Sequence, residues 1–381
     1  HTILQGDWSS DVCSSDLNIM LLGGTGSGKS FSVICPIMSQ VIKAAIENRA
    51  VTDEGKKVTQ ALYVTDGKGV LWMDAVSIAK KHNVECRVIG CGPTEYGVDL
   101  FGGLDPQVVA SALNNCMSQI GGGGGNDPFW MQMACQIIEA STKIARVWEI
   151  TEGGYEYVDR TGERIYSPVG VYALARSIRD PNGLVFRAVQ DIMEQVENDP
   201  DAISALLTPD LWSAIEFLRR DMINYPEQTV GSFLSNVANI LAGFTNLFEL
   251  RSQFGGAGSP RTLDIDRIWD DKTVTAVNLS PAEWGDAGRM VNIFVKIRLY
   301  HRARMRQLKD NDIGKKAKLM IVMDEAQDLV TTGAGGYSET SFLNYSRSTG
   351  CSFLMGTQTL AALYAALGEG NDGQKTKNLT D

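Results

Sequence analysis

The first clear pattern along the chain is the apolar run Ile19–Leu22, of strand length, in "NIMLLGGTGSGKSFSV" (18–33). Beyond a glycine-rich stretch, Ile34, Met38, Val41, Ile42 and Ala45 recur at helical spacing. "ALYVTDGKG" (61–69) reads as a strand running into a turn, a helix follows over about 71–82, and "VECRVIG" (84–90) is the next strand. This β-α-β-α-β order predicts a parallel sheet with crossover helices. Strand-forming runs return at "TVTAVNLS" (273–280), "KLMIVMDE" (318–325) and "SFLMGTQ" (352–358), so the sheet is expected to draw on both ends of the chain.

The stretch between has a different character. Five glycines, Gly121 to Gly125, read as a linker, and Asp127 with Pro128 is a cap and first-turn pair for a helix opening near Phe129. From there to about Asn246 the pattern is mostly helical, with a polar break at "TEGGYEYVDRTGERIYSP" (151–168) that reads as a small hairpin or loop. The expected organisation is a first α/β part over 18–126, a helical insertion over 127–250 and a second α/β part over 251–381 that completes the same sheet. Residues 1–17 stand outside it. "GDWSSDVCSSDL" (6–17) lacks apolar periodicity and resembles the translation of a common sequencing adapter, so it is read as an assembly scar, the alternative being a natural tail. Further on, Val291, Val295, Leu299 and Ala303 make one apolar helical stripe, and nine Lys or Arg between Lys296 and Lys318 are expected on the opposite face. Such a run is either a solvated face or a contact surface for nucleic-acid phosphates or a neighbouring subunit.

Composition narrows the options. At 381 residues, with 44% hydrophobic and 21% charged, the chain has ordinary globular make-up and length for two domains. A net charge of −10 argues against a surface that is basic all round, so any nucleic-acid contact must be local. The seven cysteines form no C-x-x-C pair and the three histidines are scattered, which points away from a zinc site or disulfide framework and makes the reducing cytoplasm the simplest home.

The candidate chemistry begins in the glycine-rich loop. Gly23, four residues, then Gly28, Lys29 and Ser30 fit the phosphate-binding pattern G-x-x-x-x-G-K-[ST], with Thr25, Gly26 and Ser27 inside it. Residues without bulky side chains let successive backbone N–H groups curl around a polyphosphate at a helix N-terminus. Lys29 would reach the β and γ phosphates of ATP, and Ser30 would ligate Mg²⁺. "LMIVMDEAQD" places Asp324 and Glu325 at the carboxyl end of a hydrophobic strand, where the aspartate suits Mg²⁺ and the glutamate suits activation of a water. A second carboxylate points to hydrolysis rather than storage. Thr357 and Gln358 end the next strand and read either as a γ-phosphate sensor or as a simple turn. Arg347, in "NYSRSTG", reads either as a surface arginine or as a finger for a neighbouring subunit's site.

Together these boxes resemble the type IV secretion coupling proteins, ATPases that feed conjugative DNA or effectors into a secretion channel. "GGTGSGKS" is followed by "VICPIM", with Pro36 in the helix as is usual there; "VTDGKGVLW" is similar to the family's Asp-Pro-Lys-Gly-Glu box, departing from it at Gly67 and Val70. "DPFWMQMACQII", "VMDEAQDL", "YSRSTG" and "MGTQTLAALYAALG" follow in the family's order. The resemblance implies an α/β fold with a RecA-like P-loop NTPase sheet and an inserted all-α domain. It implies a hexameric ring and a membrane anchor upstream, with this segment on the cytoplasmic face of the bacterial inner membrane. Lys29 and Ser30 would lie at ATP and Mg²⁺, Asp324 and Glu325 would serve hydrolysis, Gln358 would be the sensor and Arg347 the finger. The implied partners are DNA with its relaxosome, or a secreted protein, together with secretion-channel proteins. The rivals are a soluble DNA translocase, a channel-assembly ATPase, and, in another class, a non-hydrolysing nucleotide-dependent cargo receptor.

Overall fold

The computed structural model describes residues 18–24, 26–46, 59–120, 128–199, 201, 203, 206–256, 261–269, 274–331 and 337–367. The expected scar over 1–17, Thr25 of the loop, the run Gly121 to Gly125 and Asp127 lie outside the described residues. The chain forms two compact units, one from 1–96 and 263–381, the other from Gly97–Thr262, a wider span than the 127–250 read from the sequence.

The first unit is built on six strands: β1 (Ile19–Leu22), β2 (Thr59–Asp66), β3 (Cys86–Gly90), β4 (Val274–Asn278), β5 (Ala317–Asp324) and β6 (Cys351–Thr357). They pair in the order β1-β6-β5-β2-β4-β3, every pair parallel. As the alternating pattern predicts, both ends of the chain supply strands. In this parallel α/β arrangement one strand, β6, separates the loop-bearing β1 from the carboxylate-bearing β5. Register sets Leu22 beside Thr357 and Asp66 beside Asp324, so the candidate residues share the carboxyl edge of the sheet.

Helices cover both faces, which is why all of β5 and β6 is buried and their sequences run apolar without alternation. α1 (Cys35–Ile46) and α2 (Leu71–Lys81) lie on one face, where Met38, Ile42, Ala75 and Ala79 pack with Leu62, Val64, Val322 and Leu354.

The second unit is helical: α3 (Pro106–Ile120), α4 (Pro128–Trp148), α5 (Glu152–Thr161), α6 (Pro168–Arg176), α7 (Leu184–Asn198), α8 (Pro209–Glu216), α9 (Met222–Asn224), α10 (Glu227–Thr245) and α11 (Phe248–Phe254). Phe129 and Trp130, which open α4, pack their rings against Phe233 of α10 at centroid distances of 5.9 and 5.2 Å. The expected hairpin or loop over 151–168 is instead α5 and its flanks. Thr151 caps it by accepting from Gly154 N–H, Gly162 ends it in a left-handed conformation, and Tyr157 packs on Trp148 at 5.1 Å.

Back in the first unit the chain forms α12 (Pro281–Lys309), α13 (Ile313–Lys316), α14 (Glu339–Phe342), α15 (Ser346–Thr349) and α16 (Leu360–Ala366). α12 meets the sheet residues that alternate with the α1 and α2 face: Thr65 donates to Asn292 at 2.7 Å, and Tyr300 meets Phe353 at 5.8 Å. Val291, Val295, Leu299 and Ala303 are buried as expected, but so are Met290, Ile293, Phe294, Lys296, Ile297 and Tyr300, so the apolar surface is no narrow stripe. The expectation of a basic opposite face fails for Lys296, Arg302, Arg304 and Arg306, whereas Lys309, Lys315 and Lys316 are exposed. Lys296 is fully buried and pairs with Glu339, Arg302 pairs with Asp266 at 3.2 Å, Arg304 lies over Tyr337 and Tyr345, and Arg306 lies over Trp269. Those four cations serve their own unit. No described helix is long and apolar enough to cross a membrane.

The Lys296–Glu339 pair ties three segments together. Lys296 Nζ also donates to Leu329 O, while Glu339 accepts from the Tyr300 hydroxyl at 2.6 Å and from Thr331 N–H and Oγ1 at 2.7 and 2.9 Å. Both ions are fully buried, so removing one strands the other. Glu339→Ala is expected to cost about 3–5 kcal/mol, read as a lowered midpoint in equilibrium urea denaturation.

Candidate functional site

The loop after β1 turns at Gly26 and Gly28, whose φ values of 78° and 80° belong to the left-handed region that glycine enters without steric cost. Lys29 Nζ donates to Gly23 O, folding the lysine back over the loop it closes. The first helical turn, Ser30–Ile34, is wide: Cys35 N–H reaches back to Ser30 O, five residues away. Pro36 accounts for this, since it has no N–H and its ring crowds the carbonyl one turn earlier.

The opposing carboxylates stand at the end of β5. Asp324 accepts the Ser30 hydroxyl on Oδ2 at 2.5 Å and Glu325 N–H on Oδ1 at 3.0 Å. Gly356 of the intervening β6 makes room, because a Cβ there would collide with Asp324 Oδ1. Ser30 and Asp324 therefore offer two hard oxygens at one point beside a glycine cradle, a donor set that fits Mg²⁺ held jointly with a nucleotide.

Glu325 adopts φ 47° and ψ 49°, a left-handed backbone that costs a non-glycine residue about 1–2 kcal/mol. Its buried carboxylate accepts from Lys68 on Oε1 and from Gln327 and Gln358 on Oε2, the last two at 2.6 and 2.9 Å. Burial pushes its pKa up, but the bonds from Lys68, Gln327 and Gln358 outweigh burial and hold it below the usual glutamate value. The bond to Glu325 raises the Lys68 pKa in turn. Gln327 is steadied by the Thr357 hydroxyl, which donates to its Oε1 at 2.7 Å.

The turn that carries Lys68 is fitted on both sides. Gly67 N–H donates to Asp324 O at 3.1 Å, and a Cβ on Gly67 would come within 2.8 Å of Glu325 O and 2.7 Å of Asp328 Cβ. Gly69 has φ 69° and abuts the backbone of Ser280. Asp66 is structural. Its carboxylate accepts from the N–H groups of Lys68, Val70 and Leu71 at 2.9, 2.9 and 3.1 Å, capping the start of α2, while burial raises its pKa against those bonds. Gly67 has a local cause, since its N–H is used where a proline would have none.

Of the sequence-predicted residues, the structure brings together Gly23, Gly26, Gly28, Lys29, Ser30, Asp324, Glu325 and Gln358 at the carboxyl edge, and Ser27 lies in the same loop. Arg347 is not among them. It is exposed on α15, at the amino end of β6, and the seven residues of that strand set it about 20 Å from the edge where Gln358 sits. Sequence reasoning missed Gln327, Gly356 and the role of Lys68. For Lys68 a signal was present, a lysine between two glycines directly after a strand.

No family profile matches the chain, and no curated protein matches it. Among solved structures it is similar to the bacterial conjugative coupling protein TrwBdeltaN70 in two crystal forms. The unbound monoclinic form aligns with a TM-score of 0.46 and 12% identity, covering 87% of this chain and 72% of that one. The trigonal form in complex with sulphate gives the same TM-score and identity, covering 87% and 74%. The likeness is distant, and the chemistry of the site is carried by its own residues.

Gly69→Ala tests the fitted turn. It combines a left-handed backbone with a collision against Ser280, so it is expected to lower stability by about 1–3 kcal/mol, measured by urea denaturation followed by tryptophan fluorescence.

Proposed function

We propose that this chain is the motor segment of an ATP-hydrolysing coupling protein, which drives DNA with its relaxosome, or a secreted protein, toward a type IV secretion channel. The observation that supports the hydrolytic part is the Ser30–Asp324 bond beside Glu325, because a cation-binding pair and a general base beside a phosphate loop are what hydrolysis requires. Mg²⁺ bound by Ser30 and Asp324 would supply charge neutralisation to the phosphates. Lys29 would bind the same phosphates, the loop N–H groups would orient them, and the Glu325 carboxylate would take the proton of the attacking water. Gln358, bonded to the same carboxylate, would respond when the γ phosphate leaves.

The coupling role rests on the order of the short boxes, including Pro36 and the Phe129–Trp130 opening of α4. It brings with it a homo-oligomeric ring, probed below, a membrane anchor carried by a separate segment, and channel proteins as partners. Arg347 fits this reading as a group offered to an adjoining protomer, since it stands at the edge opposite its own chain's loop.

The test is ATP binding and turnover with Mg²⁺. Lys29→Ala is expected to lose both. Glu325→Gln is expected to bind ATP normally while turnover drops by about 10²-fold or more. Undiminished hydrolysis in either variant overturns the site assignment. Arg347→Ala should retain binding and lose turnover in the assembled ring, and mixing it with Glu325→Gln protomers should restore part of the activity only where the two residues meet across a subunit boundary.

A further inference from the structure

Glu325 is the residue the proposed hydrolysis depends on, yet both of its carboxylate oxygens are already engaged. Oε1 is paired with the Lys68 ammonium, and Oε2 accepts from Gln327 and Gln358. The three partners differ in kind. Gln327 and Gln358 belong to the β5 and β6 ends and lie on the loop side of the sheet order, whereas Lys68 comes from β2, on the side of β5 away from β1. A charge-assisted bond is about twice as strong as a neutral one, so Lys68 is the dominant restraint among them.

Three further features show that this contact is built. Gly67 and Gly69 flank the lysine where a side chain at either position would collide with the Glu325–Asp328 turn or with Ser280. Asp66 fixes the turn from below by accepting Lys68 N–H, and Ser280 Oγ donates to Lys68 O at 3.2 Å. Glu325 itself sits in a costly left-handed backbone, which the surrounding bonds must maintain. Meanwhile the Lys68 side chain is 49% exposed, so its charge is open to exchange partners without unfolding anything.

We propose that Lys68 is a positioning residue that restrains Glu325 on the β2 side of the site, keeping its carboxylate from the attacking water until the pair opens. The inference rests on the hydrolytic reading above and specifies how that site is held at a low resting rate. Lys68 touches no nucleotide in this scheme. It acts by setting the fraction of molecules in which Glu325 is free to serve as base.

The experiment compares steady-state ATP turnover, with Mg²⁺ and no added substrate, for the full chain and its Lys68→Met and Lys68→Arg variants. Methionine keeps the length and apolar stem of a half-exposed side chain, so folding is expected to be unaffected. Releasing a charged hydrogen bond shifts the free fraction enough to raise kcat about tenfold. KM for ATP should stay within about twofold, because the loop and Lys29 are untouched. Lys68→Arg, which preserves the ion pair, should return kcat to the resting value; a merely structural lysine would lower turnover on removal and show no such rise. Equal or lower kcat in Lys68→Met overturns the inference while leaving the ATPase reading intact. A wild-type chain that neither binds nor hydrolyses ATP overturns the reading, and the inference with it.

Discussion

Everything at the candidate site depends on the parallel pairing that inserts β6 between β1 and β5. Neighbouring strands lie about 4.8 Å apart, so the loop strand and the carboxylate strand are separated by about 10 Å. Ser30 and Asp324 close that gap by reaching over the end of β6, and their 2.5 Å bond exists because the strand between them carries Gly356 at the point of crossing. A side chain there would hold the carboxylate away from the loop. The sheet order thus sets the problem, and one glycine with no conformational oddity of its own permits the solution.

The same edge concentrates negative charge. Asp66, Asp324, Glu325 and Asp328 all lie at the ends of β2 and β5, and burial raises the pKa of Asp66 and Asp328. Local cations and donors balance the cluster unevenly. Asp66 is satisfied by three backbone N–H groups, and Glu325 by Lys68 and two amides. The remaining Asp324 oxygen is met by a neutral hydroxyl. A polyphosphate approaching this edge meets repulsion that Lys29 offsets only in part, so a divalent cation at the Ser30–Asp324 point would be the natural electrostatic complement.

The sheet was legible in the sequence because strands covered on both faces write themselves as unbroken apolar runs, and all six predicted runs are strands. The placement of the loop and of Asp324–Glu325 at one edge was legible because each directly follows a strand of a parallel sheet. Helix α5 was not. Its stretch reads as a polar break, whereas Gly154 is there because a Cβ would collide with Trp148 O, a contact between turns that no local pattern reports. Lys296 misled for a similar reason. Its spacing places it among exposed cations, and the carboxylate that buries it, Glu339, lies on a separate helix across a strand in the sequence. Gln327 and Gly356 carry no signature at all, since their roles arise where two strands end side by side.

The two ends of β6 give the proposed motor its geometry. Gln358 follows the carboxyl end and bonds Glu325, while Arg347 stands just before the amino end, and every residue of the strand between them is buried. A close-packed strand moves as a body rather than bending, because its side chains are held on both faces. The strand therefore fixes the separation between Gln358 and the turn that presents Arg347. Gly350, left-handed at φ 76° and pressed against Ala317 and Gly314, makes that turn stiff at the junction. In the ring proposed above, Gln358 at one edge and Arg347 at the other would then be held by one stiff element.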